Sequence, residues 1–89
     1  MGIDKSRYLQ LRAGCVAGKH GSETLSAACR GLEIAEPWII MSVTQNKSYD
    51  AMMVKWELGE IKRAPIGKSD FYGFRRRFYY NLDRLLKNT

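Results

Sequence analysis

One long apolar stripe near the carboxyl end of the chain constrains the fold more than any other feature. Between Lys68 and Lys87, six apolar residues recur at spacings of three, four, four, three and one: Phe71, Phe74, Phe78, Leu82, Leu85 and Leu86. Apolar residues at these intervals line one side of an α-helix and must be buried against other elements. We therefore expect a last helix with Ser69 as its N-cap, Asp70 in its first turn and the stripe in the core. Tyr79 and Asp83 are expected to turn away from the centre of the stripe.

Capping residues predict the earlier helices. The expected N-caps are Asp4, Ser22 and Ser48, and Pro37 suits the first turn of a third helix that ends at "NKS". The fourth helix is predicted over "YDAMMVKWELGEI", residues 49–61. No stretch alternates with period two, so strands are not predicted. The expected fold class is all-α, a small domain of four to five helices that contains a helix-turn-helix-like pair.

Length favours a single domain, because 89 residues hold one modest core. Within it, we expect residues 1–36 to form N-terminal helices for dimerisation or another partner, and residues 37–89 to form the helix-turn-helix-like region. No apolar run approaches the roughly 18 residues of a membrane span, and the amino end lacks the pattern of a signal peptide. We therefore expect a cytoplasmic protein with no membrane partner.

Residues that carry chemistry are sparse. Cys15 and Cys29 lie fourteen residues apart without a CxxC pair, and His20 is the single histidine, which is too few ligands for a typical zinc site. Both thiols are expected to be small buried core residues. "IGKSDF" lacks the first glycine of a phosphate-binding P-loop, and no nucleophile stands beside a base in a known motif. The sequence therefore predicts no enzyme activity, no cofactor and no bound metal.

The net charge of +6 is concentrated in the last third of the chain. Residues 1–61 carry seven basic and seven acidic side chains, whereas residues 62–89 carry eight basic side chains against two acidic ones. A one-sided basic segment is typical of proteins that bind nucleic acids or other anionic surfaces. Charge alone does not distinguish a basic segment that binds such a partner from a basic helix that only faces solvent.

A family resemblance rests on three strings in the second half of the chain. They are Ser48-Tyr49-Asp50, then "PIGKSDFY" at residues 65–72, then "FRRRFYYNLD" at residues 74–83. Residues 38–86 resemble the C-terminal region of phage-type transcriptional regulators of the RinA and ArpU kind, found in prophages of low-GC Gram-positive bacteria. The resemblance implies a helix pair like region 4 of sigma factors, which binds DNA in transcription. Gly67 stands where the family has a small helix-start residue such as serine, and Gly73 interrupts the helix.

The helix-turn-helix interpretation assigns a first helix from Tyr49 to about Leu58 and a recognition helix from Ser69 to Leu86. The connector is longer than the usual three or four residues. The recognition helix of such a pair lies in the major groove with its N-terminal residues near the bases. The predicted DNA-contacting residues are Lys62, Arg63, Lys68, Ser69, Asp70, Tyr72, Gly73, Arg75, Arg76 and Arg77.

Within this set, the residues from Lys68 to Gly73 are expected to approach the bases. Arg75 and Arg76 are expected to reach the groove or the phosphates, while Arg77 and the Lys62–Arg63 pair hold the flanking backbone. The three arginines span almost a full turn and cannot all face one way. The sequence thus predicts a sequence-specific regulator whose partner is double-stranded DNA, with a homodimer formed through the N-terminal helices. The alternative is a small phage-encoded interaction module that binds RNA polymerase or another host protein.

Overall fold

The computed structural model describes residues 3–88, which form five α-helices and one short 3-10 turn. The elements are α1 (Lys5–Val16), α2 (Ser22–Ala28), the 3-10 turn (Glu33–Ala35), α3 (Glu36–Gln45), α4 (Tyr49–Glu57) and α5 (Lys68–Lys87). Residues 3–88 contain no strand, and the prediction of a small all-α fold is confirmed. None of these helices is both long enough and apolar enough to cross a bilayer.

Two of the predicted N-caps are confirmed by their hydrogen bonds. The Asp4 carboxylate accepts a bond of 2.8 Å from the backbone N–H of Arg7. The Ser48 hydroxyl accepts a bond of 3.1 Å from the backbone N–H of Ala51. Each side chain satisfies a backbone donor that the first helical turn leaves without a partner.

The other two predicted caps were wrong, because a glycine that precedes each serine in the chain is the N-cap instead. Gly21 is the N-cap of α2 and Gly67 is the N-cap of α5, so Ser22 and Ser69 lie inside the first turn. Both glycines have the extended backbone that an N-cap needs, and glycine serves there almost as well as serine. Gly67 is also the position at which the resembled family places its small helix-start residue.

Left-handed residues end the two middle helices. Asn46, with φ of 54°, follows Gln45 and ends α3 where "NKS" predicts. Gly59, with φ of 78°, follows the end of α4 at Glu57, which agrees with the end near Leu58 in the helix-turn-helix interpretation and lies four residues before the end of the segment 49–61. A left-handed residue breaks the helical hydrogen-bond series, and glycine adopts this conformation without steric cost.

Helix α5 is the central element, and α1, α2, α3 and α4 all pack against it. Its core residues Phe71, Phe78 and Leu82 are fully buried, as the stripe predicts. Phe74 and Leu85, at the edge of the stripe, are only partly buried. The core that surrounds α5 is formed by Leu11, Cys15, Leu25, Ala28, Cys29, Leu32, Ala35, Ile39, Val43 and Met52.

Tyr79 and Asp83 were wrongly expected to lie away from the core. Tyr79 is 1% exposed, and its ring packs edge-to-face on Tyr8 of α1 at 5.1 Å between centroids. The Asp83 side chain is 8% exposed and accepts a bond of 2.6 Å from Arg7 Nε. A helix at the centre of a five-helix domain has neighbours on more than one side, so α1 buries a second face of α5 that the apolar stripe does not reveal.

The expectation of buried cysteines is confirmed. Cys15 and Cys29 are both free thiols and both buried. Burial raises the pKa of Cys15 to about 11 and that of Cys29 to about 12. Both sulfurs are therefore protonated near neutral pH and behave as small apolar core groups.

Candidate nucleic-acid interface

One side of α5 remains open to solvent along the full length of the helix. We call it the outward face, and it consists of Ser69, Gly73, Arg76, Tyr80, Arg84 and Lys87, which are exposed or partly exposed. These residues follow one another at spacings of four, three, four, four and three, so they form a line along the helix. At 1.5 Å per residue the line is roughly 27 Å long. Three of its six side chains are cationic.

The three consecutive arginines diverge, as their positions on the helix predict. Arg76 is exposed and belongs to the outward face. Arg77 is exposed on the α2 side, and a Cβ added to Gly31 would lie 3.3 Å from the Arg77 Nε. Gly31 has φ of 84° just after α2, so the guanidinium lies directly over that turn.

Arg75 points into the structure, which departs from its expected role beside Arg76. It is partly buried, its Nε is fully buried, and its guanidinium carbon lies 5.9 Å from the Tyr79 ring centroid. Successive helical residues are rotated by about 100°, so Arg75 faces α1 when Arg76 faces solvent. The geometry favours Arg76 over Arg75 for contact with an external partner.

The first turn of α5 combines one paired and two unpaired side chains. Lys68 forms an ion pair of 3.0 Å with Asp50 of α4, and this hydrogen-bonded carboxylate raises the pKa of Lys68. Ser69 and Asp70 are exposed and their side chains have no hydrogen-bond partner within residues 3–88. Ser69 and Asp70 are therefore open to a ligand, whereas Lys68 must first leave Asp50.

Tyr72 has a structural role that the sequence did not indicate. Its hydroxyl accepts a hydrogen bond of 3.1 Å from the backbone N–H of Tyr49, and its ring packs on Phe71 at 5.1 Å. Tyr49 also packs on Phe71 at 5.3 Å between centroids. Tyr72 therefore fixes the start of α4 against the start of α5.

The geometry of the α4–α5 pair differs from a standard helix-turn-helix. The two helices meet at their N-terminal turns, so the connector, residues 58–67, must run back along α4. Two bonds hold it: the Trp38 indole donates to the carbonyl of Lys62 at 3.0 Å, and the Tyr49 hydroxyl donates to that of Ile66 at 3.2 Å. The side chains of Lys62 and Arg63 are exposed, and within residues 3–88 neither has an ion-pair partner.

Gly73 leaves the backbone of α5 bare on the outward face. A Cβ at this position would meet only the Arg76 Nη2, at 4.0 Å. A glycine inside a helix costs about 1 kcal/mol relative to alanine. Packing within the described chain therefore gives no reason for glycine at this position.

Sequence reasoning missed the second half of the outward face. Arg84 donates to the Tyr80 hydroxyl at 3.0 Å, and Lys87 pairs with Asp83 at 3.1 Å. The signal was present in the sequence, because Tyr80, Arg84 and Lys87 continue from Arg76 at helical spacing. These three residues were not among the predicted DNA contacts, because the N-terminal residues of a recognition helix are the ones that lie near the bases.

Comparison with known proteins found no relative: no protein-family model matches, and no curated protein and no solved structure matches significantly. The resemblance to RinA- and ArpU-type regulators stays a prediction from the three sequence strings.

Proposed function

We propose that this chain is a DNA-binding transcriptional regulator that contacts double-stranded DNA through the outward face of α5. The observation that supports this best is the row of exposed cations, Arg76, Arg84 and Lys87, on a segment that carries the whole net charge. Lys87 also pairs with the buried Asp83, but the apolar core of α5 does not require cations at Arg76 and Arg84. A duplex carries one negative charge per about 1.7 Å, so a basic row roughly 27 Å long matches it in scale.

The N-terminal half of the outward face contacts the bases in this proposal. Ser69 and Asp70 lie in the first turn with unengaged side chains, and Gly73 and Arg76 follow on the same side. An arginine at such a position can donate two hydrogen bonds to guanine. The absence of a side chain at Gly73 lets the DNA approach the helix backbone.

The flanking cations contact phosphates. Lys62 and Arg63 are exposed on the connector, Arg77 is exposed on the α2 side, and Arg84 lies further along the outward face. Phosphate contacts set the affinity and the register, and base contacts set the sequence preference. The resemblance to phage regulators supports a role in transcription, which the charge distribution alone does not.

A binding titration tests this proposal. A fluorescein-labelled duplex of random sequence is titrated with the wild-type chain and its variants, and anisotropy is measured. We expect Arg76→Ala and Arg77→Ala each to weaken binding by about tenfold, while Lys19→Ala has little effect. Lys19 is exposed in the loop after α1 and is not part of the outward face. Equal losses for all three variants would indicate binding by net charge alone and would contradict the proposed face.

A protein partner is the second candidate, and two exposed apolar side chains, one on α4 and one just after it, favour it. Val54 is 54% exposed and Leu58, four residues later, is 68% exposed. In this case the basic helix meets an acidic surface of RNA polymerase or another host protein. Retention of such a protein after nuclease treatment, lost in both Val54→Glu and Arg76→Ala, would support this candidate over DNA binding.

A further inference from the structure

A groove lies between α1 and α5, beside the outward face. It consists of two adjoining hollows of about 380 Å³ and about 250 Å³, which share Tyr8, Arg76 and Tyr79. The larger hollow also borders Ile3, Lys5 and Tyr80, and the smaller one borders Tyr72 and Arg75. We call this space the α1–α5 groove. Its larger hollow is at the small end of the range of about 300–1,000 Å³ that is typical of ligand sites.

The lining of the groove combines aromatic rings with positive charge. Four tyrosines and three cations border the two hollows, and among residues 3–88 no carboxylate does. Tyrosine rings offer flat apolar faces with polar edges. Guanidinium groups bind phosphate through paired hydrogen bonds. The lining therefore suits a small ligand that carries both a flat ring and a negative charge.

Two buried polar groups lie next to each other in the wall of the groove. The Arg75 Nε and the Tyr79 hydroxyl are both buried, and within residues 3–88 neither has a hydrogen-bond partner outside this pair of side chains. Burial raises the pKa of Tyr79, against the opposing charge of Arg75 and the side-chain hydrogen bond with it, so the phenol is protonated near neutral pH. Tyr79 therefore positions the Arg75 side chain in the wall of the groove.

We propose that the α1–α5 groove binds one nucleotide, with its phosphate at Arg75 and Arg76 and its base against the tyrosine rings. The bases of a duplex are stacked inside the double helix and cannot enter such a groove. The ligand is therefore a free nucleotide or an unpaired nucleotide of a single strand, where stacking on aromatic rings is a common mode of recognition. The groove shares Arg76 and Tyr80 with the outward face, but nucleotide binding there does not require that a duplex binds to that face.

Titration calorimetry and amide NMR test the proposal with defined probes. The full chain is titrated at low salt with thymidine monophosphate, a ten-residue oligothymidylate, thymidine and inorganic phosphate. We expect a nucleotide-bearing probe to bind about tenfold more tightly than phosphate or thymidine, with shifts at the start of α1 and the middle of α5. Tight binding of the monophosphate identifies the free nucleotide as the ligand, and binding of the oligonucleotide alone identifies the single strand.

Three variants test this site, and Arg77→Ala separates it from the duplex interface. Tyr79→Phe removes only the buried hydroxyl that interacts with Arg75, and Tyr80→Ala removes a partly exposed ring from the wall of the groove. Each is expected to weaken nucleotide binding by about fivefold or more without loss of helical circular dichroism. Arg77→Ala, which lies outside the groove, is expected to leave nucleotide binding unchanged and to weaken duplex binding.

Two results would overturn the nucleotide site. One is the absence of binding by both nucleotide probes up to about 10 mM. The other is binding that inorganic phosphate reproduces fully, since the base would then contribute nothing. Either result leaves duplex binding untouched, because Arg77→Ala reports on that interface separately.

Discussion

Gly73 is a residue that helix stability does not favour and that the proposed DNA contact explains. It lies in the interior of α5, where glycine is unfavourable, and no described neighbour fills the space that a side chain would take. The three consecutive arginines have different surroundings, because successive residues of a helix are rotated about its axis. Arg75 faces α1, Arg76 faces solvent and Arg77 covers Gly31. At the residue scale, Gly73 and Arg76 are the positions that folding explains least.

Gly73→Ala is predicted to stabilise the protein and to weaken DNA binding. Alanine has the higher helix propensity and finds open space, so the free energy of unfolding should rise by about 0.5–1 kcal/mol. The added methyl group should obstruct close approach of a duplex to the helix backbone. Urea unfolding measures the first effect and anisotropy titration measures the second. A stabilised variant with unchanged affinity would show that DNA does not approach Gly73.

At the scale of elements, α5 organises the other helices. Asn81 joins it to α2, because its side-chain amide donates to the carbonyls of Ala28 and Arg30 at 3.0 and 3.1 Å. These carbonyls lie at the C-terminal end of α2, where the helix itself supplies no donors. The outward face is therefore held between α2 on one side and α1 on the other.

Asn81→Ala is predicted to lower the free energy of unfolding by about 1–2 kcal/mol, because two carbonyls lose their donor. Phe78→Ala is predicted to cost about 3–5 kcal/mol, since Phe78 is completely buried. Phe74→Ala should cost less, because Phe74 is only partly buried. Urea unfolding of the three variants checks the order, and a Phe74→Ala loss equal to that of Phe78→Ala would contradict it.

Much of the element structure could be predicted from the sequence, because caps and the apolar stripe are local signals. Short-range chemistry correctly predicted the N-caps Asp4 and Ser48, and it correctly predicted that the stripe through Phe71 and Phe78 is buried. The burial of Tyr79 could not be predicted, since it depends on α1 packing beside α5 from far along the chain.

The candidate site was predicted less completely than the helices. Gly67 took the cap position expected for Ser69, because glycine and serine are nearly equivalent as N-caps. Arg75 was assigned to the DNA although its long side chain lies against Tyr79, and Arg84 was overlooked. Local patterns place a residue on a helix, but only the packed neighbours decide which residues solvent reaches.

At the scale of the whole molecule, one ion pair links the two ends of the chain. Asp83 of α5 accepts from Arg7 of α1 at 2.6 Å, and Lys87 lies 3.1 Å from its second oxygen. The hydrogen bond from Arg7, with a smaller contribution from Lys87, lowers the pKa of Asp83 below its ordinary value. The pair therefore stabilises the folded chain only while Asp83 is ionised.

Stability is predicted to fall in acid partly through Asp83. A carboxyl whose pKa is lower in the folded state contributes its full stabilisation above the unfolded pKa of about 4 and loses it as the pH falls through the folded pKa. Asp83→Asn removes this titration, so its melting temperature should depend less on pH below about pH 5 than that of the wild type. Parallel pH profiles for the two proteins would contradict the assigned role of Asp83.

The uneven charge of the molecule is the property on which the proposed function depends. The residues whose exposed cations are proposed to meet the duplex are Lys62, Arg63, Arg76, Arg77, Arg84 and Lys87. Neutralising phosphates with cationic side chains releases counterions, so the affinity for DNA must fall as salt rises. A protein partner bound mainly through apolar contacts would show a much weaker dependence.

The most direct test is the affinity for a duplex of random sequence, measured by fluorescence anisotropy across a series of salt concentrations. With about six phosphate contacts, the logarithm of the affinity should fall against the logarithm of salt with a slope of roughly −5. Arg77→Ala should reduce the magnitude of the slope by about one, and Lys19→Ala should leave it unchanged. A slope near zero, or no measurable binding at low salt, would contradict DNA binding by the outward face of α5.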